Sequence, residues 1–258
     1  LVSQNKNVSR ETYMIRNIAL KISYVGTNYH GWQVQKDVPT VQSEIKKAIE
    51  RLTGEKVRLV GASRTDAGVH AIGQVANFLT SSEIPPERFK YALNSLLPPD
   101  IRITKSVEVP KSFNARWSLC EKKYIYVIIE GEINPFLRNF ALHIKRPLDI
   151  SAMQRCAKLI EGKHDFSSFT PEKENTEREI KLSQISKKGK IILYEIVGRS
   201  FLRYMIRNIV GCLTEVGLGK ISEEEFKKIL MGEEKANFTA PPHGLYLADI
   251  KYPEYDMI

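Results

Sequence analysis

Apolar and polar positions alternate from Arg16 to Tyr24 (RNIALKISY), a period of two that predicts a strand, and Gly26 then interrupts it. After the polar and aromatic stretch GTNYHGWQVQ the period lengthens. Val41, Ile45, Ala48, Ile49 and Leu52 share one helical face behind a capping residue, Thr40, and Gly54 supplies the stop. VRLVGAS and HAIGQVANF predict short strands on either side of a glycine-containing turn. PPERFKYALNSLLPPD predicts a helix held between proline pairs, and IRITKSVEV a strand that ends at Pro110.

The same succession returns beyond Lys111. YIYVIIE predicts a strand, DISAMQRCAKLIEG a capped helix, LSQISKKGKIILYEIVG two strands around Lys188–Gly189, and SFLRYMIRNIVGCLTEVG a helix with a mostly apolar face. The recurrence predicts an α+β fold of two similar α/β halves, with a joined, mainly antiparallel central sheet flanked by helices. Residues 1–14 are polar and without hydrophobic periodicity, and read as a flexible leader. Residues 15–110 form the N-terminal half in this reading and residues 111–258 the C-terminal half.

Composition adds constraints. Of 258 residues, 42% are hydrophobic and 27% charged, which fits a folded core and not a disordered chain. No apolar run approaches the roughly 18 to 20 residues of a membrane span, and the opening stretch has no apolar core for a secretory signal, so a cytoplasmic protein is expected. Lys and Arg number 39 against 30 Asp and Glu, and the net charge of +9 favours an anionic partner. Cys120, Cys156 and Cys212 are odd in number and lie among apolar neighbours, so they read as buried thiols. His30, His143 and His243 form no metal-ligand pattern, and HDFSSF (residues 164–169) lacks metal-site spacing. Neither GxGxxG nor a GKS/GKT loop occurs, so cofactor-free chemistry is expected.

The densest polar and glycine-rich segment is GASRTDAGVHA, residues 61–71. A plain hairpin accounts for Gly61 and Gly68 as turn formers and for Ser63, Thr65 and Asp66 as local caps. It accounts less well for Arg64, Asp66 and His70 within seven residues. A carboxylate beside an arginine in a protein-walled loop is charge-balanced and aimed, as a nucleophile or general base must be. Arg199, Arg203 and Arg207 are spaced four apart and predict a basic row on the helix after Ser200, serving either a solvated face or an anion, with Arg207 the one best placed to turn inward. Tyr124 and Tyr126 share a strand face, suited to base stacking or to ordinary packing, and Lys122 beside them reads as a surface position.

GASRTDAGVHA closely resembles the catalytic signature of the tRNA pseudouridine synthase A family. YHGWQVQ, TVQSEI, HAIGQVANF, LNSLLPPDI, FNARW, KKYIY, HDFSSF, FLRYMIRNIVG and HGLYL look like that family's landmarks in its order, over residues 15 to 252. The resemblance implies isomerisation of uridine to pseudouridine in the tRNA anticodon stem-loop, at positions 38, 39 and 40, by a homodimer needing neither cofactor nor metal. It implies that Asp66 is the catalytic aspartate, that Arg64 helps displace the target base, that Tyr124 is the active-site tyrosine and that Arg207 is the basic partner of the aspartate. Family signatures often carry glycine where this chain has Ala62 or Ser63, which leaves the Arg-Thr-Asp core unchanged.

The reaction must cleave the bond from ribose C1′ to base N1, turn the uracil and join C5 to C1′. Asp66 either attacks C1′ or takes the C2′ proton to give a glycal, and the sequence does not choose. Three other readings compete with this one. A silent RNA-binding protein would have lost Asp66 or its arginine. A glycosidase would need a second carboxylate, which the motif does not supply. A pseudouridine synthase for another RNA stem differs only in substrate.

Overall fold

The computed structural model describes residues 14–119, 121–132 and 134–255. The proposed leader, apart from Met14, and Cys120 lie outside these residues. Ten strands form one sheet: β1 (Arg16–Tyr24), β2 (Val60–Gly61), β3 (His70–Thr80), β4 (Ile101–Val109), β5 (Glu121–Glu130), β6 (Leu142–Ile144), β7 (Gly162–Asp165), β8 (Glu177–Lys188), β9 (Ile191–Gly198) and β10 (Leu245–Lys251). The main path runs β4-β1-β3-β10-β5-β9-β8-β7, with β2 beside β3 and β6 beside β5. Among the described residues only the pairings of β10 with β3 and of β6 with β5 are parallel, so the sheet is mainly antiparallel as the sequence predicts.

The α-helices among the described residues are α1 (Val41–Thr53), α2 (Phe89–Asn94), α3 (Ile150–Leu159), α4 (Met205–Gly217) and α5 (Glu223–Leu230). The Thr40 hydroxyl accepts from Ser43 N while Ser43 Oγ accepts from Thr40 N, a reciprocal cap that satisfies two otherwise orphaned donors at the start of α1. Val41, Ile45, Ala48 and Ile49 are buried along the face the periodicity selects. Asp149 caps α3 in one direction only, its carboxylate accepting from Ala152 N at 3.0 Å.

Several elements depart from the pattern. The segment between the proline pairs is α-helical only over Phe89–Asn94, preceded by a 3-10 turn over Pro86–Arg88 that starts behind Pro85, held extended at ψ 137° by the proline after it. VRLVGAS contributes only Val60 and Gly61 to the sheet. Strands β6, β7 and β10 and helix α5 are additions to the sequence reading; β10, only seven residues long, is the strand between β3 and β5.

The helix expected from Ser200 starts at Met205 instead, after Tyr204 in the left-handed region at φ 62°. Arg199 and Arg203 therefore precede α4 and Arg207 alone lies on it, in its first turn. Cys156 and Cys212 are buried, and burial pushes their thiols up to about 11 and about 12. No described helix is long and apolar enough to cross a membrane.

Candidate active site

The loop from Gly61 to Val69 is clamped by the segment that follows β1. Trp32 N donates to Thr65 O at 3.1 Å, Gly68 N to Tyr29 O at 3.4 Å, and the Tyr24 and Thr65 hydroxyls meet at 2.7 Å. A methyl group on Gly31 would lie 2.6 Å from Thr65 O, and its φ of +86° also disfavours other residues. Gln74 on β3 closes the other side, with Oε1 accepting from Ser63 N and Nε2 donating to Ser63 O. The YHGWQVQ stretch thus acts as a mould for the Arg-Thr-Asp turn.

His70 belongs to this mould and not to the cleft. Its Nδ1 accepts from Gly26 N at 3.0 Å and its Nε2 faces the carbonyls of Asn139 and His243 at 2.9 and 3.2 Å, an arrangement that fits one neutral tautomer. The ring is stacked between Phe140 and Tyr246. Burial lowers its pKa, as that packing requires.

Above the loop opens a cleft of about 890 Å³. Asp66 reaches it from the loop between β2 and β3 and Arg207 from α4, and Arg207 Nη1 donates to Asp66 Oδ2 at 3.2 Å across 141 residues of chain. The pair is partly enclosed, with side-chain exposures of 31% for Asp66 and 15% for Arg207. Arg207 Nε is fixed on Ala240 O at 2.8 Å, and the guanidinium lies over the Tyr204 ring at 5.3 Å. The left-handed Tyr204 is therefore the hinge that aims Arg207, a strained backbone position of the kind that collects at functional sites.

Tyr124 on β5 is buried and its hydroxyl meets Ser63 Oγ at 2.8 Å, edge-on to Phe201. Burial, with the Asp66 charge adding to it against the Ser63 hydrogen bond, pushes the phenol up to about 12, so it is neutral at physiological pH. Tyr126 is a packing residue, with its hydroxyl donating to Pro241 O at 2.7 Å. Arg64 is exposed at the cleft wall and has no hydrogen-bond or ion-pair partner among the described residues.

The structure thus brings Asp66, Arg64, Tyr124 and Arg207 to one cleft. Its walls also carry Arg58, Arg116, Lys122, Arg178, Arg199 and Arg203 against two carboxylates, Asp66 and Glu172, and Glu172 accepts from Arg203 N at 3.1 Å. Arg58, Arg116 and Arg178 carried no periodic signal and were missed; Arg199 and Arg203 were seen, but as a helical row. Among the described residues no three His, Cys, Asp or Glu side chains gather as metal ligands would.

Lys122 is not a surface position. It is half-buried in the cleft wall, and burial, reinforced by the Arg116 charge, pushes its ammonium down to about 8. Between about pH 8 and about 10.5 the unfolded chain holds this proton and the folded chain does not, so stability gains as pH rises through that window. Lys122→Met has no proton to lose. It is expected to raise stability by about 1–2 kcal/mol at pH 7.5, a figure discounted for partial solvation, and to flatten the rise between pH 7.5 and 9.5. Thermal melts of both proteins at the two pH values check this.

Comparison with known proteins takes in the Asp66 loop and Arg207, while the family model leaves out residues 119–155, where Lys122 and Tyr124 lie. The family described as tRNA pseudouridine synthase matches residues 21–118 and 156–253, which include both sides of the cleft. "tRNA pseudouridine synthase A" of Thermoanaerobacter sp. (strain X514) is 48% identical over 244 residues, 92% of this chain and all of that protein. The protein of the same description from Acetivibrio thermocellus is 47% identical over the same shares, and that from Caldicellulosiruptor bescii 43%. Among solved structures, the archaeal box H/ACA sRNP Nop10-Cbf5 complex aligns with 77% of this chain and 44% of that one at a TM-score of 0.34 and 12% identity, too slight a likeness to carry an argument. With the matched residues supplying the Arg-Thr-Asp turn, its mould and the arginine opposite, the chain belongs to the tRNA pseudouridine synthase family.

Proposed function

We propose that this protein isomerises uridine to pseudouridine at positions 38, 39 and 40 of the tRNA anticodon stem-loop, with Asp66 as the reacting carboxylate. The observation that carries the reading is the Asp66–Arg207 pair, joined from two distant segments at the base of a cleft walled by cations and aromatic rings. The cations suit a phosphate backbone, which positions the RNA while conveying little sequence information.

In this reading the target base leaves the stem, at an unstacking cost of a few kcal/mol, and the unpaired Arg64 takes the space it vacates. Asp66 acts at the ribose, by attack on C1′ or removal of the C2′ proton. The C1′–N1 bond breaks, the uracil turns while the cleft walls retain it, and C5 bonds to C1′, which displaces Asp66 from C1′ in the first route and is accompanied by return of the proton to C2′ in the second. The C5 proton leaves and N1 gains one, so the change is an isomerisation with no net oxidation. Tyr124, neutral in the free protein, contributes a ring face and an O–H to the base. The protein acts as a homodimer in the cytoplasm, as the family resemblance implies.

A tritium-release assay on unmodified tRNA carrying [5-³H]uridine, followed by mapping of the product, tests the proposal. Release with pseudouridine at positions 38 to 40 is expected. Product in another stem would move the substrate, and no release by the folded protein would overturn the activity.

A further inference from the structure

The turn at residues 110–119 is anchored more firmly than an exposed connection requires. Asn17 Nδ2 donates to Phe113 O at 2.9 Å, Ala115 N donates to Asn77 Oδ1 at 2.9 Å, and the Tyr252 hydroxyl donates to Ala115 O at 2.6 Å. Three buried polar side chains are committed to holding it. Asn114 Oδ1 then accepts from Arg116 N at 3.0 Å and from Trp117 N at 3.2 Å. What this mount presents is Trp117, 71% exposed, with the Arg116 guanidinium 4.8 Å from its ring centre. The backbone that carries the ring is already held in place, so only the side chain loses freedom on binding, which favours its use as a stacking platform.

Trp117 stands where two cavities meet. It lines the main cleft and an adjoining cavity of about 340 Å³, and the two share Trp117, Leu119 and Arg199. The smaller one is of a size to hold one nucleotide. Lys122 is the register partner of Gly198, which sets it beside Arg199, and the Arg116 charge acts on Lys122. Arg116, Lys122 and Arg199 have no ion-pair partner among the described residues, although Glu254 lines the smaller cavity. Cations gathered without a counter-ion favour an anion, and an exposed indole among them narrows the choice to a ligand with both a flat ring and a phosphate.

We propose that the mouth of the cleft is a second nucleotide subsite, where the base next to the target uridine stacks on Trp117 and its phosphate lies between Arg199 and Lys122. The inference rests on the tRNA reading above and adds a determinant outside the reacting pocket. Stacking on Trp117 offsets part of what the RNA loses when the target leaves its stem.

The chain has two tryptophans and Trp32 is buried, so solvent-exposed indole emission reports on Trp117. The experiment uses the Asp66→Asn protein, to prevent turnover, and anticodon stem-loop RNAs that are intact or abasic on either flank of the target. Binding of the intact RNA is expected to quench the exposed emission. Trp117→Ala is expected to raise its Kd about tenfold, and Trp117→Phe to regain most of the loss. An abasic site on one flank is expected to cost the Trp117 protein about the same tenfold and the alanine variant nothing further. No loss in Trp117→Ala, or an equal loss with the intact and both abasic RNAs, overturns the subsite. Tritium release by the unsubstituted protein is measured alongside: its absence overturns the tRNA reading and this inference together, whereas its presence with an unaltered Trp117→Ala overturns this inference alone.

Discussion

Asp66→Asn is expected to lower kcat for tritium release by about 10³-fold or more without weakening tRNA binding. An asparagine keeps the shape and a hydrogen-bond acceptor for Arg207 Nη1, so the fold is expected to survive, and what disappears is the charged oxygen aimed into the cleft. The effect on binding has a definite sign. The cleft wall carries many more cations than carboxylates, and removing one of only two negative charges leaves tRNA affinity unchanged or tighter. Single-turnover release and a filter-binding Kd on the same preparations separate the two quantities. Full activity in the asparagine protein would sink the mechanism.

Arg207→Ala is expected to follow, with kcat down about 10²-fold and the Kd for tRNA raised less than about threefold. The side chain is engaged on three sides: Nη1 donates to Asp66, Nε donates to Ala240 O, and the guanidinium lies over Tyr204. Little of its charge is free for a phosphate. Removing it leaves Asp66 without its partner and costs about 1–3 kcal/mol of stability, below the value for a fully buried pair because both groups retain some solvent. Arg207→Lys keeps the charge but cannot reproduce two directed N–H bonds at once, so only partial recovery is expected. Equal losses in kcat and in tRNA affinity would instead place Arg207 on the RNA backbone.

Both experiments address a pair that spacing alone could not have joined. The loop carrying Asp66 is conspicuous in sequence because its chemistry is local: glycines, short polar side chains and two opposite charges within a few residues. The resemblance to a family then supplied Arg207 and Tyr124 as partners. Periodicity had put Arg207 in a row with Arg199 and Arg203, and that row dissolves at Tyr204, where a left-handed backbone delays the helix. No helical pattern encodes such a residue. Its conformation is retained because the ring packs against the guanidinium groups of Arg203 and Arg207, contacts that exist only after the chain has folded.

The strands β1, β3, β4 and β9 and the helix α1 could be read from the chain because their determinants lie within a few residues: a period of two or 3.6, Thr40 before the helix and Gly54 after it. Strand β10 could not. It has only seven residues, and its place between β3 and β5 follows from register partners more than a hundred residues away. Lys122 shows the same division at the scale of one side chain. Its position on a strand was legible, but a lysine's surroundings are set by which sheet face the rest of the molecule covers, and here tertiary packing turned an apparent surface residue into part of the cleft. Local sequence determined the elements and the reactive loop, since backbone preference and capping act between neighbours; which cations face that loop was decided only by tertiary structure, because burial and charge act through space between segments the chain order keeps apart.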